Sequence, residues 1–278
     1  MIDLHTYTSA SGGSLLPPEL VSHAATVGVT VLAITDHDTT AGIEAAACVL
    51  PAGLTLVPGV EISCREADGG VHLLAYLFDQ EDRVLAEMLG RIRDGREVQA
   101  RRAVGLLRAG GHPIDWPQVT EVAGGAPVAR RHIAAAMVTA GITATMELAL
   151  GPDWLGPGGP LHTQAWRPTV ARAITVVRGA GGVPVLAHPR APGGAPLTAE
   201  QVTEMVARGL VGIQVNHPGH DSQARRELRE LAARLHLVPI GGSGFHNPDA
   251  DRLGAASTSQ AAYRRLVSEA SGAAPIRR

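Results

Sequence analysis

The chain predicts an α/β fold of βα units around a parallel sheet, interrupted once by a helical insert. Three observations carry that prediction. Short apolar runs bounded by turn residues alternate with longer segments that place apolar residues three and four apart. Strand signals vanish between about residues 82 and 166 and return afterwards. The 278 residues, 45% hydrophobic and 18% charged, suffice for one large core and are too apolar for a disordered chain.

In chain order, Ile2-Leu4, Val29-Ile34, Leu54-Pro58, Val71-Leu77, Val183-Ala187, Val211-Val215 and Leu237-Ile240 read as strands. Several are apolar throughout, the pattern of a strand covered on both faces. Between them Pro17-Val27, Ala41-Leu50, Thr169-Arg178, Ala199-Ala207 and Gln223-Leu235 read as helices with one apolar face. The break holds a polar helix over Asp82-Arg108, a second over His132-Thr139 and the Gly/Pro stretch Gly151-Pro160. The expected organisation is therefore a barrel part over 1–81, a helical insert subdomain over 82–166 and a second barrel part over 167–278.

Composition excludes several classes. All 24 basic residues are arginine, and a chain without lysine has no Walker-type phosphate loop and no Schiff-base chemistry. A formal net charge of −2 supplies no general field for duplex nucleic acid. Cys48 and Cys64 form neither a disulfide framework nor a thiolate metal motif; Cys48 is expected in the core of its helix, and Cys64 has no basic partner in sequence. No apolar run is long enough to cross a bilayer, and Met1-Ile2-Asp3-Leu4-His5 lacks the basic stretch and apolar segment of a signal peptide. The expectation is a cytoplasmic protein without membrane contact, of open oligomeric state.

In parallel βα folds chemistry sits beyond the carboxyl ends of the strands. There the sequence places His5, Asp36-His37-Asp38, Glu61, His188, His217 and His246. Histidine at one strand end is ordinary, whereas five such histidines converging with a carboxylate suit a divalent metal: zinc, manganese or iron. Water held at such a metal becomes a nucleophile.

These residues also carry a resemblance. Asp3-Leu4-His5-Thr6-Tyr7, the segment Ala33 to Gly42 around Asp36-His37-Asp38, Gly59-Val60-Glu61-Ile62-Ser63, Leu186-Ala187-His188-Pro189 and Gly242-Ser243-Gly244-Phe245-His246 occur in the order of the polymerase and histidinol phosphatase (PHP) family. Arg130-Arg131-His132-Ile133-Ala134 and Asn216-His217-Pro218 are similar to segments of its bacterial branch that hydrolyses nucleoside 3′,5′-bisphosphates or trims short RNA. The resemblance implies a distorted seven-stranded, TIM-like (β/α)7 barrel, the PHP fold, with a metal cluster at its carboxyl-terminal rim.

Six of the nine ligand positions match: His5, His37, Glu61, His72, His188 and His246, with Glu61 expected to bridge. Three do not, because Tyr7, Gly12 and Gly244 stand where the resemblance implies a histidine and two aspartates. By family analogy Glu61, His72 and His188 form the one intact group. Three divalent ions bring six charges against one matched carboxylate, so fewer than three ions are expected. Restoring Tyr7→His, Gly12→Asp and Gly244→Asp is then expected to raise activity.

Asp36 is read as orienting a histidine or replacing lost charge. Asp249 and Asp251 are read as solvated loop residues. Tyr7 either ligates as a phenolate or fills the lost histidine's volume and hydrogen-bonds a neighbour. His217 is a candidate proton donor and His220 a substrate contact. Arg130 and Arg131, with His132 beside them, form a candidate clamp on a phosphate. His23, His112, His162 and His236 are read as structural. The expected activity is hydrolysis of a small phosphomonoester or nucleotide. The alternatives are a silent relative that binds a phosphorylated ligand or partner, and a repurposed one-metal enzyme on a non-phosphate substrate.

Overall fold

The computed structural model describes residues 1–66, 69–125, 127–161, 165–191 and 197–278. His162 lies outside them. They divide into two compact units, Met1–Leu89 with Pro168–Arg278, and Gly90–Arg167.

The first unit is built on seven strands in sequence order. β1 (Ile2–Asp3), α1 (Pro17–Thr26), β2 (Val31–Ile34), α2 (Gly42–Cys48) and β3 (Thr55–Glu66) supply the first parallel strands. β4 (Gly69–Tyr76) then runs antiparallel to both β3 and β5 (Val183–Leu186). After α7 (Val170–Gly179) and β5, the parallel order resumes through α8 (Ala199–Ala207), β6 (Gly212–Asn216), α9 (Ser222–Arg234) and β7 (Val238–Gly241), with α10 (Gln260–Ser268) at the end. Leu4 N donates to Gly241 O at 3.4 Å, and Thr6 pairs in parallel with Phe245, so the sheet nearly closes on itself.

Burial explains the strand composition. β2 and β5 are buried at every position, since helices cover one face and the barrel interior the other. The four helices of the second barrel part begin where a side chain can accept their unpaired backbone amides: Thr169 for α7, Thr198 with Gln201 for α8, Asp221 for α9 and Ser259 for α10. The tail returns beneath the barrel, where Ile276 exchanges both backbone hydrogen bonds with Leu56.

Three expectations change here. The sheet is mixed, because only two residues separate β3 from β4 and no crossover helix fits between them. Glu61 lies within β3 and not beyond it. Pro58-Gly59 reads as a strand stop, yet a Cβ on Gly59 would lie 2.9 Å from Ile34 O. That glycine serves a close approach of two strands, not a turn. Cys48 is exposed at the end of α2 rather than in the core, while Cys64 is buried.

α3 (Arg83–Ala109) starts in the first unit and continues into the second. The second unit adds α4 (Trp116–Ala123), α5 (Arg130–Thr139) and α6 (Met146–Leu150). Its own core joins Val104 and Leu107 of α3 to Val119, Ile133 and Met137. Asp115 and Gln118 cap the start of α4 reciprocally, and Gly124 ends it in the left-handed conformation. No described helix is long and apolar enough to cross a membrane.

Candidate metal centre

The barrel rim gathers its polar residues around one carboxylate. Glu61 N donates to Asp36 O and Glu61 O accepts from Asp38 N, so the chain beyond β2 runs alongside β3 and brings His37 to Glu61. His72 follows from the β3–β4 register, opposite Ser63. His5 and His188 stand beyond β1 and β5.

The Glu61 side chain has no exposed surface. Its Oε1 lies 3.0 Å from His188 Nε2, 3.1 Å from His72 Nδ1 and 3.5 Å from His5 Nε2. Its Oε2 accepts a 2.5 Å hydrogen bond from the Tyr7 hydroxyl and lies 2.9 Å from His37 Nδ1. Burial alone would raise the Glu61 pKa; the charges of His37, His72 and His5 and the hydrogen bond with His188 outweigh it and hold the carboxyl well below its usual range. Burial, then the Glu61 charge, pushes the Tyr7 phenol well above 10, so it is a neutral donor.

Two groups of possible metal ligands share this carboxylate: His5, Glu61 and His188, and His37, Glu61 and His72. The grouping differs from the one the resemblance implies, since His188 pairs with His5 and His72 with His37. The arrangement of donors suits a cation. His5 Nδ1 meets the Gln214 side-chain oxygen at 3.0 Å, which puts the ring proton there and leaves Nε2 a lone pair. Tyr7 then has one hydroxyl proton for two acceptors, His5 Nε2 at 2.7 Å and Glu61 Oε2 at 2.5 Å. A cation relieves that shortage. His37 Nδ1 is likewise buried beside Glu61 without hydrogen-bond alignment. Gln214 is a site residue that strand-end reasoning missed; the signal was an amide set between the apolar Ile213 and Val215 in the middle of a strand.

The other candidates fall in varied places. His246 donates from Nδ1 to Gly244 O at 2.7 Å and packs against Tyr7 with ring centroids 4.0 Å apart, outside both ligand groups. Asp251 is no solvated loop residue, because it accepts the backbone amides of His246 and Asn247 at 2.8 and 3.0 Å. Asp36 belongs to neither group, its oxygens accepting from Thr8 N, Thr8 Oγ1 and Ser11 Oγ at 2.8, 2.7 and 2.5 Å. It orders the loop after β1. His220 is committed to backbone, donating from Nδ1 to Val215 O and accepting at Nε2 from Arg190 N.

His217 accepts at Nδ1 from Gly219 N at 3.0 Å, so its Nε2 carries the proton. A Cβ on Gly244 would lie 2.9 Å from that Nε2, and Gly244 has φ +63°. The imidazole of His217 thus stands against the place a side chain on residue 244 would take, and Gly244→Asp is no simple restoration. Burial, then the charges of His5, His188 and His220, pushes the His217 pKa down to about 3.

The arginine candidates belong to the second unit. Arg130 is exposed at the start of α5 and Arg131 is half-buried. His132 accepts at Nδ1 from Ala129 N, capping the helix, so Nε2 bears the ring proton. Arg131 Nε lies 3.1 Å from that Nε2, which sets two donors side by side. Burial, then Arg131, pushes the His132 pKa down to about 4 and keeps the ring neutral.

No family profile matches the chain. The 5′-3′ exoribonuclease Rnm of Salmonella typhimurium is 33% identical over 253 residues, covering 88% of this chain and 85% of its own. The 3′,5′-nucleoside bisphosphate phosphatase of Chromobacterium violaceum is 32% identical over 255 residues, covering 89% and 87%. Among solved structures, a Bifidobacterium adolescentis protein provisionally named a metal-dependent phosphoesterase superposes with a TM-score of 0.87 at 32% identity, covering 97% of this chain and 96% of its own.

Proposed function

The chain belongs to the PHP family of bacterial metal-dependent phosphoesterases, and we propose that it hydrolyses a small phosphomonoester or nucleotide at a reduced metal site. The observation that carries this reading is the wholly buried Glu61 carboxylate, with three histidine nitrogens within 3.5 Å of Oε1.

His5, Glu61 and His188 would hold one ion, and His37, Glu61 and His72 are the second group that shares the carboxylate. His37 is the further ligand available at Oε2, where the Tyr7 phenol competes for the same oxygen. A divalent ion such as zinc, manganese or iron suits a donor set of imidazoles and one carboxylate. A divalent ion there supplies Lewis-acid chemistry, acidifying water and withdrawing charge from a phosphoryl oxygen.

The chain's own residues bind, orient and supply protons. His217 presents a protonated Nε2 beside the His5 and His188 rings, with centroids 6.0 and 5.2 Å away, and donates a hydrogen bond to a substrate or leaving oxygen. Tyr7 keeps its proton and holds Oε2. In the second unit, Arg131 and His132, with Nε and Nε2 3.1 Å apart, and exposed Arg130 form a clamp for a phosphate.

The test is elemental analysis of the purified chain, then a screen of phosphate esters beginning with nucleoside 3′,5′-bisphosphates. About one atom of manganese, iron or zinc per chain, with metal-stimulated phosphate release, is the expected result. A chain that takes up no metal after incubation with each ion, yet binds nucleotide, overturns the hydrolase reading in favour of a binding protein.

A further inference from the structure

We infer that Gln214 is a positioning residue: its carboxamide fixes the tautomer of His5 and the backbone of His188 so that both rings turn Nε2 towards Glu61 Oε1. Only the consequence for metal affinity rests on the proposed function. The tautomer is a property of the chain alone.

Gln214 sits in β6, and the pairing of β6 with β7 slips in register between Gln214 and Asn216. Such irregularities re-aim side chains beside functional sites. The Gln214 side chain is fully buried and touches three other strand ends. Its Nε2 donates to Gly242 O at 3.1 Å, and a carbonyl can only accept, so the amide orientation is settled by that contact. Its Oε1 then accepts from His5 Nδ1 and from the His188 backbone N–H, both at 3.0 Å. Both lone pairs of that oxygen are used.

The consequence for His5 follows from proton counting. An amide oxygen has no proton to give, so His5 carries its own on Nδ1 and exposes the Nε2 lone pair towards Tyr7 and Glu61. The consequence for His188 is conformational. Its φ of +23° is one that side-chain-bearing residues seldom adopt, and it holds only where the surroundings fix it. The hydrogen bond to Gln214 ties down that residue's own amide. Gly242 completes the arrangement: a Cβ there would lie 2.3 Å from the His5 Cβ, so only glycine lets its carbonyl lie beside Gln214. One neutral amide therefore sets two members of the His5, Glu61 and His188 group without touching the carboxylate.

No apolar residue can replace it, and glutamate can replace half of it. Gln214→Met keeps length and packing but offers no acceptor. Gln214→Glu keeps an acceptor for His5 and His188 while setting an oxygen against Gly242 O. The experiment is nitrogen NMR of the metal-free chain labelled in histidine, at a pH where imidazoles are neutral, with the His5 signals assigned by their loss in His5→Gln.

The wild-type ring is expected to be protonated at Nδ1. Gln214→Met shifts it towards protonation at Nε2, and Gln214→Glu restores the wild-type tautomer. Calorimetry with zinc alone is expected to show affinity ten- to 100-fold weaker in Gln214→Met, the usual cost of losing a residue that orients a ligand. A wild-type His5 protonated at Nε2 overturns the inference whether or not the variants fold. So does a folded Gln214→Met chain with the wild-type tautomer. A chain that binds no zinc yet shows the Gln214-dependent tautomer supports the inference while counting against the phosphoesterase reading.

Discussion

The two oxygens of Glu61 meet different surroundings. Oε1 faces three imidazoles; Gln214 holds the wholly buried His5 ring from behind and ties down the backbone amide of His188. Oε2 is capped by a phenol that keeps its proton and is flanked by His37, whose side chain is 22% exposed. One half is thus prepared for a cation and the other half is satisfied by a neutral hydrogen bond. A carboxylate that bridges two ions can be reduced to serving one by a single substitution beside it, provided the newcomer neutralises the abandoned oxygen. On the proposed reading Tyr7 is that substitution, because its phenol donates to Oε2, which a merely space-filling residue would not.

The largest effect tests what the two halves share. Glu61→Gln leaves no negative charge among the histidines, and a single site of this kind cannot concentrate cations without one. Metal content measured by elemental analysis is expected to fall below about a tenth of an atom per chain, and phosphate release to fall at least ~100-fold. Retained metal at wild-type level would place the ion elsewhere.

The next effect separates the halves. His188→Ala is expected to weaken zinc affinity by roughly 100-fold in calorimetry, and His37→Ala by less than about tenfold, because only the first removes a ligand from the braced oxygen. Equal losses would break the comparison and favour an ion shared evenly by both groups.

A third effect concerns the cap. Tyr7→Phe leaves Oε2 buried without its donor, an omission that costs about 1–3 kcal/mol. A lower melting temperature is expected for the metal-free chain, with much of the loss recovered on adding zinc. If Tyr7→Phe melts like wild type in both states, the phenol is filler. The same logic revises restoration by design. Tyr7→His is expected to raise metal stoichiometry by itself, whereas Gly244→Asp meets His217 Nε2 and a left-handed backbone and is expected to give nothing further.

Much of this centre was legible because histidine is conspicuous. A polar ring after an apolar strand has few reasons to be there, and His5, His37 and His188 all stand in that relation to β1, β2 and β5. Glu61 was found for its chemistry but misplaced, because a glycine needed for close strand approach looks like a turn. Asp36 and His220 were plausible by position, yet position does not reveal that backbone and hydroxyl groups already occupy their atoms. Gln214 shows the opposite failure. Its neighbours Ile213 and Val215 identify a buried strand, and a buried amide must find partners, but nothing local says that those partners lie some two hundred residues away in His5 and 26 away in His188. The helix α10 was missed although Ser259 caps it and Tyr263 and Leu266 share its buried face.

The smallest effect contrasts the rim with the helical unit. At the rim, histidines crowd an anion; at the start of α5, burial and then the neighbouring Arg131 cation push the His132 pKa down to about 4 from an ordinary value near 6.5. The folded chain therefore refuses a proton that the unfolded chain accepts between those values. Stability from this ring is fully present above pH 6.5 and is lost as pH falls towards 4, by about 1 kcal/mol once solvent screening is allowed for. Rim histidines with lowered pKa values, His188, His217 and His246, act in the same direction. His132→Gln separates the two contributions, since glutamine at the third helical position still accepts from the Ala129 amide and does not titrate. Urea titrations at pH 7.5 and pH 5 are expected to show a smaller acid destabilisation in His132→Gln than in wild type, with equal stability at the higher pH. The difference should persist with zinc bound, because the ion engages only the rim. An unchanged pH dependence in the variant would mean that the His132 ring is solvated in solution and not buried beside Arg131, and with it would go the phosphate clamp proposed there.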